Sequence, residues 1–227
     1  VQRDSYAELI CFFANTASSL DKFATEIREL QRPEIAELAE PFEVEKQVGS
    51  STMPQKRNPI LCERICGLAK ILRSLSIPSL ENVSTWHERD LTQSSAERFI
   101  IPEGCILLDY MLSLMIRVLR GLHVDKERML KNIDITQGRV MAENVMLSLT
   151  RKGMGRQEAH RLVRGVSLRS EVEGKPFRDA LLENSDVRRF LSGREVDAIL
   201  DPASYIGTAL EQVDAMIEKT EKERKRK

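Results

Sequence analysis

The sequence predicts an all-α fold, a bundle of long helices followed by a smaller all-helical domain. Three observations carry this. Apolar residues recur at three- and four-residue spacing over runs of nearly thirty residues, with no alternating strand pattern between them. Charged residues make up 31% and aromatics only 5% of the chain, the profile of helices with solvated outer faces rather than of a sandwich or barrel. The 11 glycines and 8 prolines cluster where the periodicity stops. At 227 residues the chain is long enough for one or two domains with a real core.

The first element is one amphipathic helix over residues 2–31. Its stripe is Leu9, Ile10, Phe13, Ala17, Leu20, Phe23, Ala24, Ile27 and Leu30, and Pro33 lies just beyond its end. About thirty residues at ~1.5 Å each give a strut of roughly 45 Å, more than a small domain needs. A short helix around 34–39 and an extended piece over 41–47 follow. The segment 48–59 reads as neither helix nor ordinary turn, because Gly49, Pro54 and Pro59 interrupt it. Gly49 suits a hinge and Pro54 a stiffener, as a loop that closes on a ligand requires. A plain surface loop would have the same residue types. Asn58 as N-cap and Pro59 at the first position then start a helix over 59–75, with Glu63, Cys66, Lys70 and Arg73 along one side and Pro78 breaking or kinking it. After the polar stretch 81–94, a second long helix runs over 95–121 through Pro102. Ile106, Leu107, Tyr110, Met111, Leu114 and Val118 are its core stripe, and Gly121 is its C-cap. From there the segments shorten to 125–133, 136–151, 156–172, 176–182, 192–200 and 203–219. This change predicts a boundary near residue 130, giving domains 1–130 and 131–227.

Composition narrows the function. There are 35 basic and 35 acidic residues, so net charge argues for neither nucleic acid nor a membrane surface as partner. No apolar run approaches a membrane span, and no signal peptide opens the chain. Cys11, Cys62, Cys66 and Cys105 read as buried free thiols of a reducing, cytoplasmic protein. Cys62 and Cys66 have no second pair to complete a metal site, so no metal and no cofactor are expected. The chain opens on Val1 and enters helical pattern without a capping residue, which reads as a piece whose N-terminal part lies elsewhere.

Two constellations carry chemistry. In the first, Ser50 is a hydroxyl whose alkoxide would need Lys56 and loop amides beside it. Lys56 and Asn58 at i, i+2 point the same way in an extended segment and suit a carboxylate whose charge grows during reaction. In the second, Arg64, Arg89 and Arg98, with Ser94 and Ser95, are the donors that grip a phosphate. The same arginines are equally served by salt bridges to Glu63, Glu88 and Glu97.

The string Gly49-Ser50-Ser51-Thr52-Met53-Pro54-Gln55-Lys56-Arg57-Asn58-Pro59 resembles the signature loop of the fumarase/aspartase superfamily. Trp86-His87-Glu88-Arg89-Asp90, continuing to Ser94-Ser95-Ala96-Glu97-Arg98, is similar to the second substrate-binding region of the adenylosuccinate lyase branch, as is Lys56-Arg57-Asn58-Pro59 with Glu63-Arg64. The likeness runs through the whole chain and corresponds to the second half of a family member. It implies the central long-helix bundle, a homotetramer with sites built from three subunits, and elimination of fumarate from adenylosuccinate and from its imidazole-carboxamide ribotide precursor in purine synthesis. By position it implies Ser50 as the base, with Lys56 and Asn58 on the succinyl carboxylate and Glu63 supporting a histidine from elsewhere. Ser51, Met53, Arg64, Arg89, Ser94 and Arg98 are then expected to bind the nucleotide substrate. The family's acid histidine belongs to the other half. His87, His123 and His160 match no such residue and read as surface or structural, so this chain alone is expected to be inactive. The alternatives are an inactive helical scaffold and a sister lyase such as argininosuccinate lyase or carboxymuconate cycloisomerase.

Overall fold

The structure is a computed structural model that describes residues 2–42, 57–88 and 90–226. It divides into two compact units, Val1–Met129 and Leu130–Lys227. The described elements are helical apart from one two-residue strand pair.

The first unit is built on α1 (Asp4–Leu30), α2 (Ile60–Ser74), α3 (Ser76–Glu81) and α4 (Thr92–Arg120). α1 contributes Ala17, Leu20, Ala24 and Ile27 to the core, spaced three and four apart. α2 contributes Leu61, Cys62, Ile65, Cys66, Ala69 and Leu72, and α4 Leu108, Met111, Leu114, Met115 and Val118. Side-chain contacts give the directions. Thr25 meets Cys66 and Asp21 pairs with Arg73 at 2.9 Å, so α2 runs antiparallel to α1. Arg3 pairs with Glu97 at 2.5 Å, and Gly104 lies against Ile10 and Phe13, so α4 runs parallel to α1.

Several expectations need correction here. The short helix around 34–39 does not form. Ala36 sits at φ 54°, a left-handed conformation that stops a right-handed helix. Leu38–Ala39 (β1) instead pairs antiparallel with His123–Val124 (β2). The extended piece over 41–47 falls mostly outside the described residues. The second long helix starts at Thr92, three residues earlier than expected, and continues through Pro102 to Arg120. Ile106 and Tyr110 were assigned to its core and are exposed, as are Leu9 and Phe23 on α1. By length and composition α4 is apolar enough to cross a bilayer, which corrects the reading that no segment approaches a span; one face of it packs in the bundle core. Gly121 does end α4, but at φ −110°, not in the left-handed cap conformation. It is needed for another reason: a Cβ there would lie 2.7 Å from Pro41. Cys62 and Cys66 are buried free thiols, whereas Cys105 is exposed and Cys11 half-buried.

The second unit begins within α5 (Lys126–Ile133), whose first turn is capped by the Asp125 carboxylate accepting from the Arg128 N–H at 2.9 Å. The single helix expected over 136–151 is broken. Gln137 (φ 50°) and Gly138 (φ 87°) turn the chain between two short 3-10 turns before α6 (Ala142–Arg151) begins. α7 (Arg156–Glu173), α8 (Phe177–Glu183), α9 (Ser185–Arg188) and α10 (Gly193–Leu200) complete a core centred on Phe177, Val145, Leu149, Leu181, Val187 and Val196. Local caps start two of these helices. Asn184 accepts from Asp186 and Val187 N–H, and Ser192 and Glu195 form a reciprocal capping box. The last helix, α11 (Ala209–Lys225), starts after a turn at Gly207 and is exposed along its whole length.

Candidate active site

Ser50, Ser51, Met53, Lys56 and Arg89 lie outside the described residues. The remaining predicted residues fall into three places in the first unit.

The first place is the start of α2. Asn58 and Glu63 line a cavity of about 1110 Å³, together with Arg28, Glu40, Arg57 and His123. Arg57 rests its guanidinium on the Phe42 ring at 5.2 Å. Arg28 comes from α1. A hydrogen bond with the Cys66 thiol outweighs the effect of burial and, with the Glu63 charge, keeps its guanidinium above the ordinary value. The wall thus carries donors fit for an anionic ligand, the Arg28 and Arg57 guanidinium groups and the Asn58 carboxamide, beside the carboxylates of Glu40 and Glu63.

The way α2 begins corrects the reading of Asn58. The cap position is Pro59, and no side chain of that pair caps the helix. The N–H groups of Leu61 and Cys62 donate instead to the two carboxylate oxygens of Glu40, each at 3.0 Å. Burial, reinforced by the nearby Glu40 charge, pushes the Cys62 thiol far up, which makes it an inert core group.

The second place is the opposite face of the same turn. Arg64 points away from the cavity lining and donates to the Tyr110 hydroxyl at 2.8 Å. The third is the first two turns of α4, where Ser94 is half-buried and Arg98 exposed. The preceding loop is organised by Asp90. Its carboxylate accepts from the Thr92 hydroxyl, from the Trp86 N–H at 3.0 Å and from the Thr92 N–H at 2.9 Å, which holds it below the usual carboxylate range. Glu97 was a candidate partner for the arginine cluster and pairs with Arg3 instead.

The helix directions decide what these places can do together. Arg98 sits beside Glu97, the residue that meets Arg3 at the start of α1, and Glu63 sits near Arg28 at its end. At ~1.5 Å of rise per residue, Arg3 and Thr25 stand roughly 33 Å apart. Within one chain Asn58 and Glu63 therefore stand at the opposite end of the bundle from Ser94 and Arg98.

The sequence reading passed over Arg28, Gln31 and Glu40, and it set aside His123, which lies on the cavity wall. Arg28 follows Ala24 at helical spacing on the buried side of α1, a signal that could have marked it.

The chain was compared with known proteins. A family model described as "Lyase" matches residues 1–72, and one described as "Adenylosuccinate lyase C-terminus" matches residues 138–216. A solved structure of 3-carboxy-cis,cis-muconate lactonizing enzyme from Pseudomonas putida superposes with a TM-score of 0.86 at 33% identity, covering 97% of this chain and 48% of that one. A fumarate lyase from Mesorhizobium superposes with a TM-score of 0.84 at 30% identity, covering 94% and 46%. The long-helix bundle is therefore that of the fumarase/aspartase superfamily of lyases. Adenylosuccinate lyase of Methanothermobacter thermautotrophicus is 49% identical over 98% of this chain and 49% of its own length. That of Pyrococcus abyssi is 50% identical over the whole of this chain and 50% of its own length. The chain is similar to adenylosuccinate lyases along essentially its whole length, and it spans about half the length of the curated relatives it matches.

Proposed function

We propose that this chain supplies part of an adenylosuccinate lyase, which releases fumarate from adenylosuccinate and from succinyl-aminoimidazole-carboxamide ribotide in cytoplasmic purine nucleotide synthesis. The observation that carries the reading is identity of 49–50% to adenylosuccinate lyases along essentially the entire chain. Residues 1–130 would be the second part of the central bundle and 131–227 the C-terminal helical domain.

The chemistry follows from the residue types. Ser50 takes the proton from the carbon next to a succinyl carboxylate. The electron pair flows into that carboxylate, which becomes a dianion held by Lys56 and Asn58. The pair then returns to form the double bond of fumarate as the C–N bond breaks. The leaving nitrogen takes a proton from a histidine that Glu63 supports and that another part of the enzyme provides. Ser51 and Met53 border the succinyl group, and Arg64, Arg89, Ser94 and Arg98 hold the nucleotide with its phosphate. The roughly 33 Å of α1 between Arg3 and Thr25, at a rise of ~1.5 Å per residue, puts Glu63 and Arg98 toward opposite ends of the bundle and supports sites shared between copies. The exposed Phe12, Phe23, Phe99, Ile106 and Ile116 of α1 and α4 support a tetramer joined through these helices.

The test is fumarate release by the full-length protein. Ser50→Ala should lower the rate by roughly two to four orders of magnitude with little change in substrate affinity. Near-normal turnover in that variant would move the base elsewhere. The likeness to the Pseudomonas lactonizing enzyme keeps a second reading, a carboxymuconate cycloisomerase, which gains if the unmutated protein ignores adenylosuccinate and turns over carboxymuconate.

A further inference from the structure

Glu40 is a carboxylate only 5% exposed, in a sequence position that gives it no obvious task. Burying a carboxylate is unfavourable unless hydrogen bonds replace water. Glu40 meets that requirement with the first turn of α2. One oxygen accepts from the Leu61 N–H and the other from the Cys62 N–H, both at 3.0 Å. These are the orphan donors that a cap residue ordinarily satisfies, and Pro59 at the cap position has no side-chain acceptor. The positive end of the helix dipole adds to the attraction.

Glu40 is itself held. Its N–H donates to the Gln31 Oε1 at 3.0 Å, and the Gln31 Nε2 donates to the Arg57 carbonyl at 3.4 Å. One glutamine at the end of α1 therefore joins the chain on both sides of the cavity wall. Pro41, the next residue, is seated against Gly121 so closely that no side chain fits between them. Beside the local bond from the Ile60 N–H to the Asn58 carbonyl, the start of α2 is thus referenced to the end of α1, to β1 and to the end of α4. Asn58 and Glu63 flank the two amides that Glu40 holds.

We infer that Glu40, braced by Gln31, is a positioning residue for the elimination. It fixes the first turn of α2 and so sets where Asn58 and Glu63 stand in the cavity. This rests on the lyase reading above. A shift of about 1 Å in such groups is enough to cost roughly a hundredfold in rate.

The experiment uses the full-length protein with Glu40→Gln, Glu40→Ala and Gln31→Leu. kcat and KM for adenylosuccinate are measured per folded molecule, and hydrogen exchange is followed at the Leu61 and Cys62 amides. Gln keeps one acceptor and should lower kcat about tenfold; Ala keeps none and should lower it about a hundredfold, with KM nearly constant in both. The two amides should exchange faster in the same order. A merely structural cap would lower Tm and leave kcat per folded molecule unchanged, and that result overturns the inference. If Glu40→Ala does not fold, Glu40→Gln and Gln31→Leu decide by the same criterion. If the unmutated protein releases no fumarate, it is the lyase reading that fails. The exchange data then stand alone: unchanged protection of Leu61 and Cys62 in Glu40→Gln refutes the clamp, and selective loss of it sustains the clamp.

Discussion

α2 and α10 start in opposite ways. α10 begins with Ser192 and Glu195, whose side chains and backbone N–H groups satisfy each other within four residues. α2 begins with a proline, and the N–H groups of Leu61 and Cys62 are satisfied by a carboxylate 21 and 22 residues earlier in the chain. The contrast extends to the units that contain them. The second unit caps α9 and α10 locally and gathers its core around the fully buried Phe177. The first leaves large apolar side chains on the outer faces of α1 and α4 and fixes its cavity wall through contacts distant in sequence. A local cap forms wherever its helix forms. A remote cap forms only when the tertiary structure is complete, so it ties the geometry of a site to the packing of the whole bundle.

Three changes test that contrast, beginning with the largest effect. Phe177→Ala should destabilise the second unit by about 3–5 kcal/mol, the usual cost of emptying an aromatic core position. Denaturant unfolding followed by hydrogen exchange should show the loss across α6–α10 while α1 and α2 keep their protection. Equal loss in both units would mean that their cores are not separate. Gly121→Ala should be next, at about 1–3 kcal/mol, because the new methyl group meets the rigid Pro41 ring. Its exchange signature should be confined to the chain near Glu40 and the start of α2, and loss at α10 would contradict the assignment.

The smallest effect concerns pH. The Lys152 ammonium, at 2.6 Å, and the Ser192 N–H and hydroxyl hold Glu195 down to about 2. A carboxyl whose folded value lies below its unfolded value contributes stability above the unfolded value, and the contribution is lost as pH falls through the folded one. The capping box of α10 should therefore stay intact from neutral pH through 4 and open only toward pH 2. A titration of the Glu195 carboxyl by NMR checks this. Lys152→Met should move the midpoint upward toward the ordinary glutamate range, and a midpoint that does not move would assign the shift to Ser192.

Much of the fold was legible because it is local. The 3.6-residue periodicity located α1, α2, α4, α7 and α10 to within a few residues. Periodicity marks the centre of a stripe and not its edges. Met111, Leu114 and Val118 were read correctly as core, whereas Ile106 and Tyr110, on the margin of the same stripe, are exposed. The turn at Ala36 was missed because alanine rarely adopts a left-handed conformation, and α9 because four residues give no period. Of the candidate site, the signature string singled out Asn58 and its continuation Glu63, which share the cavity wall. Glu40, Gln31 and Arg28 were missed because their partners are distant in sequence, and spacing within a segment says nothing about those.

The distance between the two ends of the bundle has a consequence for genetics. If the carboxylate end of one copy works with the phosphate end of another, a defect at Asn58 and a defect at Arg98 need not disable the same sites. Two inactive full-length variants, one altered at each end, should recover measurable turnover when refolded together, because some mixed assemblies bring an intact Asn58 and an intact Arg98 to one site. Two variants altered at the same end should recover none. In a cell carrying both kinds of allele, the pair would be milder than either allele alone.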